Sequence, residues 1–158
     1  PVLRRPTSRI AESAAMSSFS PVEKSFWLHR VCEANYHRLH RLVPELEAMA
    51  SMVTAVPQAP GKPALRFRLL ERSPFTLVLE VTHDFEGPFQ VLEEPQVRLR
   101  VSLDAKTVEM LSDRERPDLH DALGREPPPA QVLEYKWTLN YFLSRWLDHC
   151  LEAEYCAT

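Results

Sequence analysis

The sequence predicts an α+β domain: a four-stranded, mostly antiparallel sheet covered on one face by an N-terminal helix and a long C-terminal helix. Three observations predict it. Residues 134–153 contain neither glycine nor proline, and their apolar side chains recur at helical spacing. Several stretches between residues 65 and 110 instead alternate apolar and polar side chains with a period of two. A second helical stripe precedes that region, so helices flank strands rather than alternating with them.

The chain has 158 residues, 26% of them charged and 44% apolar, which suits one domain with a sizeable core. Its net charge of -3 gives no electrostatic reason to expect nucleic acid or a membrane surface as partner. With only 3 glycines, at Gly61, Gly87 and Gly124, no glycine-rich phosphate loop can be assembled, and a G-x-S-x-G nucleophile turn is absent too. Cys32, Cys150 and Cys156 form no C-x-x-C and are odd in number. This reads as reduced thiols in a cytoplasmic protein with no metal site. No apolar run is long enough for a membrane span.

Taken in order, residues 1–19 read as a disordered or extended tail, and Met16 within it would serve as an initiator. Residues 20–158 read as the single domain. Ser20-Pro21-Val22-Glu23 is a helix start, with a capping serine, a proline at the first position and a glutamate three residues on. That helix runs to about Val43 before Pro44, with Leu28, Val31, Cys32, Leu39, Leu42 and Val43 on one stripe and Asn35 among them. A short helix is expected over 45–52, and a proline-rich loop over 56–63. A first hairpin joins Leu65–Leu69 to Phe75–Val81, and Phe85–Pro95 reads as a connection able to wrap the sheet. Val97–Leu103 then turns at Asp104-Ala105 into a fourth strand with Val108 and Met110. A two-residue turn there sets Arg100 opposite Glu109, whereas a four-residue one would set Ser102 opposite Glu109. Asp113–Pro129 reads as a loop with a turn of helix near Leu119, and Pro127-Pro128-Pro129 launches the last helix.

Two groups of residues are candidate sites. Asn35 interrupts the first apolar stripe, and Lys136 and Asn140 border the last one. Converging beneath Trp146, they would form a polar pocket for an amide, a carboxylate or a phosphate, or else bonds that fix helix register. Arg66, Arg68, Arg98 and Arg100 share the outward sheet face and could hold a phosphate or nucleotide, with Glu80 and Glu109 as counter-ions. No aromatic side chain sits between them to stack on bases. His29, Glu33, His37 and His40 line one side of the first helix, where no second cluster completes a metal's ligand set. No catalytic nucleophile–base pair can be named, and no cofactor is implied.

Cys32-Glu33-Ala34-Asn35-Tyr36, Leu39, Arg41-Leu42 and Pro44 form one motif. Pro95, Arg100, Asp104-Ala105 and Glu109 form a second, and Lys136, Asn140, Phe142-Leu143, Trp146-Leu147 and Cys150-Leu151 a third. Through these, from about residue 30 to 151, the chain resembles the YqiB-like family of bacterial proteins. The resemblance implies no assigned activity, cofactor or catalytic residue. It departs from the family pattern at Pro127-Pro128-Pro129 and Glu134-Tyr135-Lys136, where relatives carry an aromatic-Pro-Asn segment and Asp-Glu-Lys. The leading expectation is a non-enzymatic module that binds another protein or a second copy of itself. The alternative is a module for a nucleotide or other small anion, and an unassigned enzyme is the third.

Overall fold

The computed structural model describes residues 20–84 and 96–157. The expected tail 1–19 and the connection Phe85–Pro95 lie outside them. Helix α1 (Pro21–Leu42) opens as its sequence dictates. Ser20 Oγ accepts from the Glu23 N–H at 3.3 Å and donates to Glu23 Oε1 at 3.2 Å, so one side chain satisfies an orphan donor of the first turn. Strands β1 (Met52–Val56), β2 (Ala64–Ser73), β3 (Thr76–Asp84), β4 (Val97–Ser102) and β5 (Thr107–Ser112) follow. A five-residue helix α2 (Leu119–Leu123), the long helix α3 (Pro129–Glu152) and a two-residue strand β6 (Cys156–Ala157) complete the chain.

The sheet is antiparallel throughout, in the order β5-β4-β3-β2-β1-β6. It therefore has six strands where the sequence suggested four. Of the expected second helix only a 3-10 turn over Leu46–Ala48 forms, and the chain then becomes strand β1 against β2. Val53 and Thr54 are β-branched, which favours the extended form, but β1 does not alternate cleanly between buried and exposed. Strand β6 is too short to carry any period. It is placed because Glu154 takes a positive φ of 57° after α3, turning the chain back beside β1, where Tyr155 donates its hydroxyl to the Pro63 carbonyl at 2.5 Å.

The β4–β5 register is the one expected: Arg100 lies opposite Glu109. The ladder stops at Ser102↔Thr107, leaving Leu103–Lys106 as a four-residue connection. Because it is centred on Asp104-Ala105, this connection keeps the register of a two-residue turn. Asp104 Oδ1 accepts from the Ala105 N–H, and Lys106 closes the turn with φ 54°.

Both helices pack on one face of the sheet. Leu39 and Leu42 of α1 and Leu139, Leu143 and Leu147 of α3 share one buried cluster with Leu65, Phe67, Leu77, Leu79, Val97, Leu99 and Met110. Each such side chain contributes roughly 1.5–3 kcal/mol by leaving water. Three polar links join the helices, Lys24 to Glu134 (2.9 Å), Asn35 to Asn140 (3.2 Å) and Arg38 to Asp148 (2.8 Å). Their positions advance together along both chains, so α1 and α3 lie side by side in the same direction.

Candidate functional site

Asn35 and Asn140 are both 0% exposed. Asn35 Nδ2 donates to the Asn140 carbonyl at 3.2 Å, and its Oδ1 accepts from Arg38 at 3.1 Å. Asn140 Oδ1 accepts from the Met110 N–H of edge strand β5 at 2.8 Å, while its Nδ2 donates to the Lys136 carbonyl at 2.8 Å. Each amide thus bonds through both its oxygen and its nitrogen, joining helix to helix and helix to sheet edge. An edge strand leaves backbone donors facing outward, and a side-chain oxygen from α3 takes this one.

Lys136 points elsewhere. Its Nζ sits 3.0 Å from Glu109 Oε1, and Arg100 approaches the other oxygen of Glu109 at 4.0 Å. Trp146 lies further along α3, part-buried against the core. The structure therefore brings Asn35 and Asn140 together, and places Lys136 with Arg100 instead.

The four outward arginines divide into two pairs because β3 runs between β2 and β4. Arg68 and Arg98 flank Glu80 in register, and Glu80 accepts from Arg68 at 2.8 Å. Arg66 lies opposite Thr82 on the β2 side, whereas Arg98 and Arg100 reach toward the β5 margin. There, with Glu109, Lys136, Asp118 and His120, they border a groove of about 380 Å³. Its far wall is pinned. The Arg116 guanidinium lies 4.2 Å from the centre of the Phe142 ring and pairs with Asp113 at 3.0 Å, and the Tyr135 hydroxyl donates to the Pro117 carbonyl.

A second depression, of about 930 Å³, opens between the first turns of α1 and α3. Val22, Phe26, Pro127, Val132 and Leu133 line it. Val22 is 80% exposed, Phe26 56% and the adjoining Trp27 46%, and the two rings pack edge to face at 5.2 Å. The sequence reading passed over this surface, although Val22, Phe26 and Trp27 precede the stripe that starts at Leu28 and fall outside it. Ser112, Asp118 and His120 carried no sequence signal, because only the fold brings α2 to the sheet margin.

On the histidine side of α1, His29 Nε2 lies 3.5 Å from Glu33, and the His37 and His40 rings contact Tyr36. Among the described residues, no group of three or more His, Cys, Asp or Glu is placed to hold a metal ion, and no helix is long and apolar enough to cross a membrane. Burial pushes the Cys32 thiol up to about 12, assisted by the nearby Glu109 charge. Burial does the same to Cys150, also to about 12. Neither is an activated nucleophile.

This is an α+β protein whose surface offers an apolar cleft and a cation-lined groove. It belongs to a family described as "Protein of unknown function (DUF1249)", whose family model matches residues 38–156. No curated protein and no solved structure matches the chain.

Proposed function

We propose that this protein acts by binding, as a module that docks an apolar helical segment of a protein partner into the cleft between the starts of α1 and α3. The exposed aromatic pair Phe26–Trp27, beside a depression floored by Val132 and Leu133, is the observation that carries this reading. Aromatic side chains are enriched at interface centres, where they bury large apolar area. Two helices side by side leave a furrow that a third helix fills, in the manner of amphipathic helices laid into grooves. The one ion pair joining the helices at this end, Lys24–Glu134, is already satisfied at 2.9 Å, so docking here buries no uncompensated charge from that pair.

The test is a selection of displayed helical peptides on the wild-type protein, with counter-selection on the double variant Phe26→Ser/Trp27→Ser. Amphipathic sequences that bind the wild type at least about tenfold more tightly than the variant are expected. Peptides that bind both equally, or no enrichment at all, would contradict the proposal. Sedimentation of both proteins identifies the case in which the partner is a second copy, since such a dimer would dissociate in the double variant.

A further inference from the structure

A different surface, the groove at the β5 margin, carries an inference of its own. Cationic side chains reach it from two elements, Arg98 and Arg100 from β4 and Lys136 from α3, and His120 of α2 borders it as well. Two carboxylates share it. Glu109 stands between Lys136 (3.0 Å) and Arg100 (4.0 Å), and Asp118 accepts from the Asp121 N–H at 3.0 Å as the cap of α2. Arg98 is left over. Its register neighbour Glu80 is engaged by Arg68 on the far side, and Arg98 forms no ion pair with any described residue. The chain as a whole is acidic, at -3, so this local excess of positive charge does not reflect a basic surface in general.

The backbone is shaped here as well. The β4–β5 register shifts between Arg98 and Leu99, so that Arg98 lies opposite Ser112 while Leu99 lies opposite Met110. Leu111 is the extra residue of a bulge, a device that bends a strand and re-aims its side chains beside binding sites. One hydroxyl and three side-chain cations thereby border the groove, with part-buried Leu119 and buried Leu139 as its apolar surface.

The geometry points to this groove as a binding site for a small phosphomonoester, its phosphoryl oxygens shared by Arg98, Arg100 and Lys136 and its organic body resting on Leu119 and Leu139. A carboxylate offers two oxygens, which a single arginine satisfies. A phosphomonoester offers three terminal oxygens and close to two charges, which match two guanidinium forks and an ammonium. The volume lies within the range of small-ligand pockets. A nucleic-acid strand fits less well, because Glu109 and Asp118 would repel the following phosphates and no Phe, Tyr or Trp ring is among the residues that border the groove. Glu109 is the internal counter-ion that lets Arg100 and Lys136 stand together, and an incoming phosphoryl group competes with it.

Isothermal titration with adenosine 5′-monophosphate, glucose 6-phosphate and inorganic phosphate, and with adenosine and glucose as uncharged counterparts, tests this. At least one ester is expected to bind with a Kd below about 1 mM and more tightly than inorganic phosphate, while adenosine and glucose do not bind. Arg98→Gln should weaken that ester by at least about tenfold, the loss of one charge-assisted contact, without moving Tm. Glu109→Gln should lower Tm yet tighten the ester, an outcome that a purely structural Glu109 would not give. Arg68→Gln, on the other side of β3, should leave binding unchanged. Failure of both esters to bind, or binding that survives Arg98→Gln, would overturn the proposal. Inorganic phosphate binding as tightly as the esters would overturn the part assigned to Leu119 and Leu139.

Discussion

At the scale of single residues, the molecule handles its misfit side chains in two ways. Asn35 and Asn140 were conspicuous in the sequence because an amide on an apolar stripe must find partners or a ligand, and the structure supplies protein partners at both ends of each. What the sequence could not reveal was which partners, since Met110 and Asn140 meet only after α3 has crossed to the edge of the sheet. The cysteines behave as small apolar fillers, with Cys32 and Cys150 buried and Cys156 exposed. Their ordinary thiol value of 9.0 is raised in the fold, so below pH 9 both states hold the proton and folding is unaffected. Between about 9 and 12 the unfolded thiols ionise while the folded ones do not, and stability falls with rising pH by roughly 1.4 kcal/mol per unit for each. Denaturant melts across that range should show the decline, and Cys32→Ala/Cys150→Ala should make it shallower. A disulfide-exchange reagent at neutral pH is expected to label Cys156 quickly and the other two only on unfolding.

Among the elements, legibility followed periodicity. Both long helices and the four strands β2–β5 carry a strong period, and the helix ends are marked by Ser20, Pro44 and Pro127-Pro128-Pro129, so each was readable within a few residues. Strand β1 lies next to the two-residue edge strand β6 and has no regular burial pattern, so it went unread, and of the helix expected over 45–52 only the 3-10 turn Leu46–Ala48 formed. The parallel alignment of α1 and α3 was also hidden, because it depends on the whole sheet lying between them in sequence. Of the ion pairs joining them, the two ends are unequal. Arg38 bonds Asp148 and also Asn35 Oδ1, so removing it strips a fully buried oxygen of its donor. Among the described residues, the Lys24 ammonium meets only Glu134, whose side chain is 40% exposed. Arg38→Met is therefore expected to destabilise by about 1–3 kcal/mol, and Lys24→Met by less than about 1 kcal/mol, in urea melts. Equal effects would mean that the Asn35 contact contributes nothing.

For the molecule as a whole, the fold leaves one sheet face covered by helices and the other bearing charge, with the β5 edge closed by an amide from α3. The apolar cleft lies where the two helices begin, and the cation-lined groove lies where α3 passes the β5 margin. The candidate residues were visible in the sequence as two separate sets, and the fold regroups them: Lys136 leaves the asparagines and joins Arg98 and Arg100. That regrouping follows from Asn140, which fixes where α3 sits against β5, and so its bond to the Met110 N–H is the joint on which the arrangement rests. Hydrogen exchange at the Met110 amide tests it directly. The amide should exchange in the wild type only through global or near-global opening, and in Asn140→Ala it should exchange at least about tenfold faster than expected from the change in global stability. A Met110 amide that exchanges rapidly in the wild type, or is equally protected in the variant, would contradict the account.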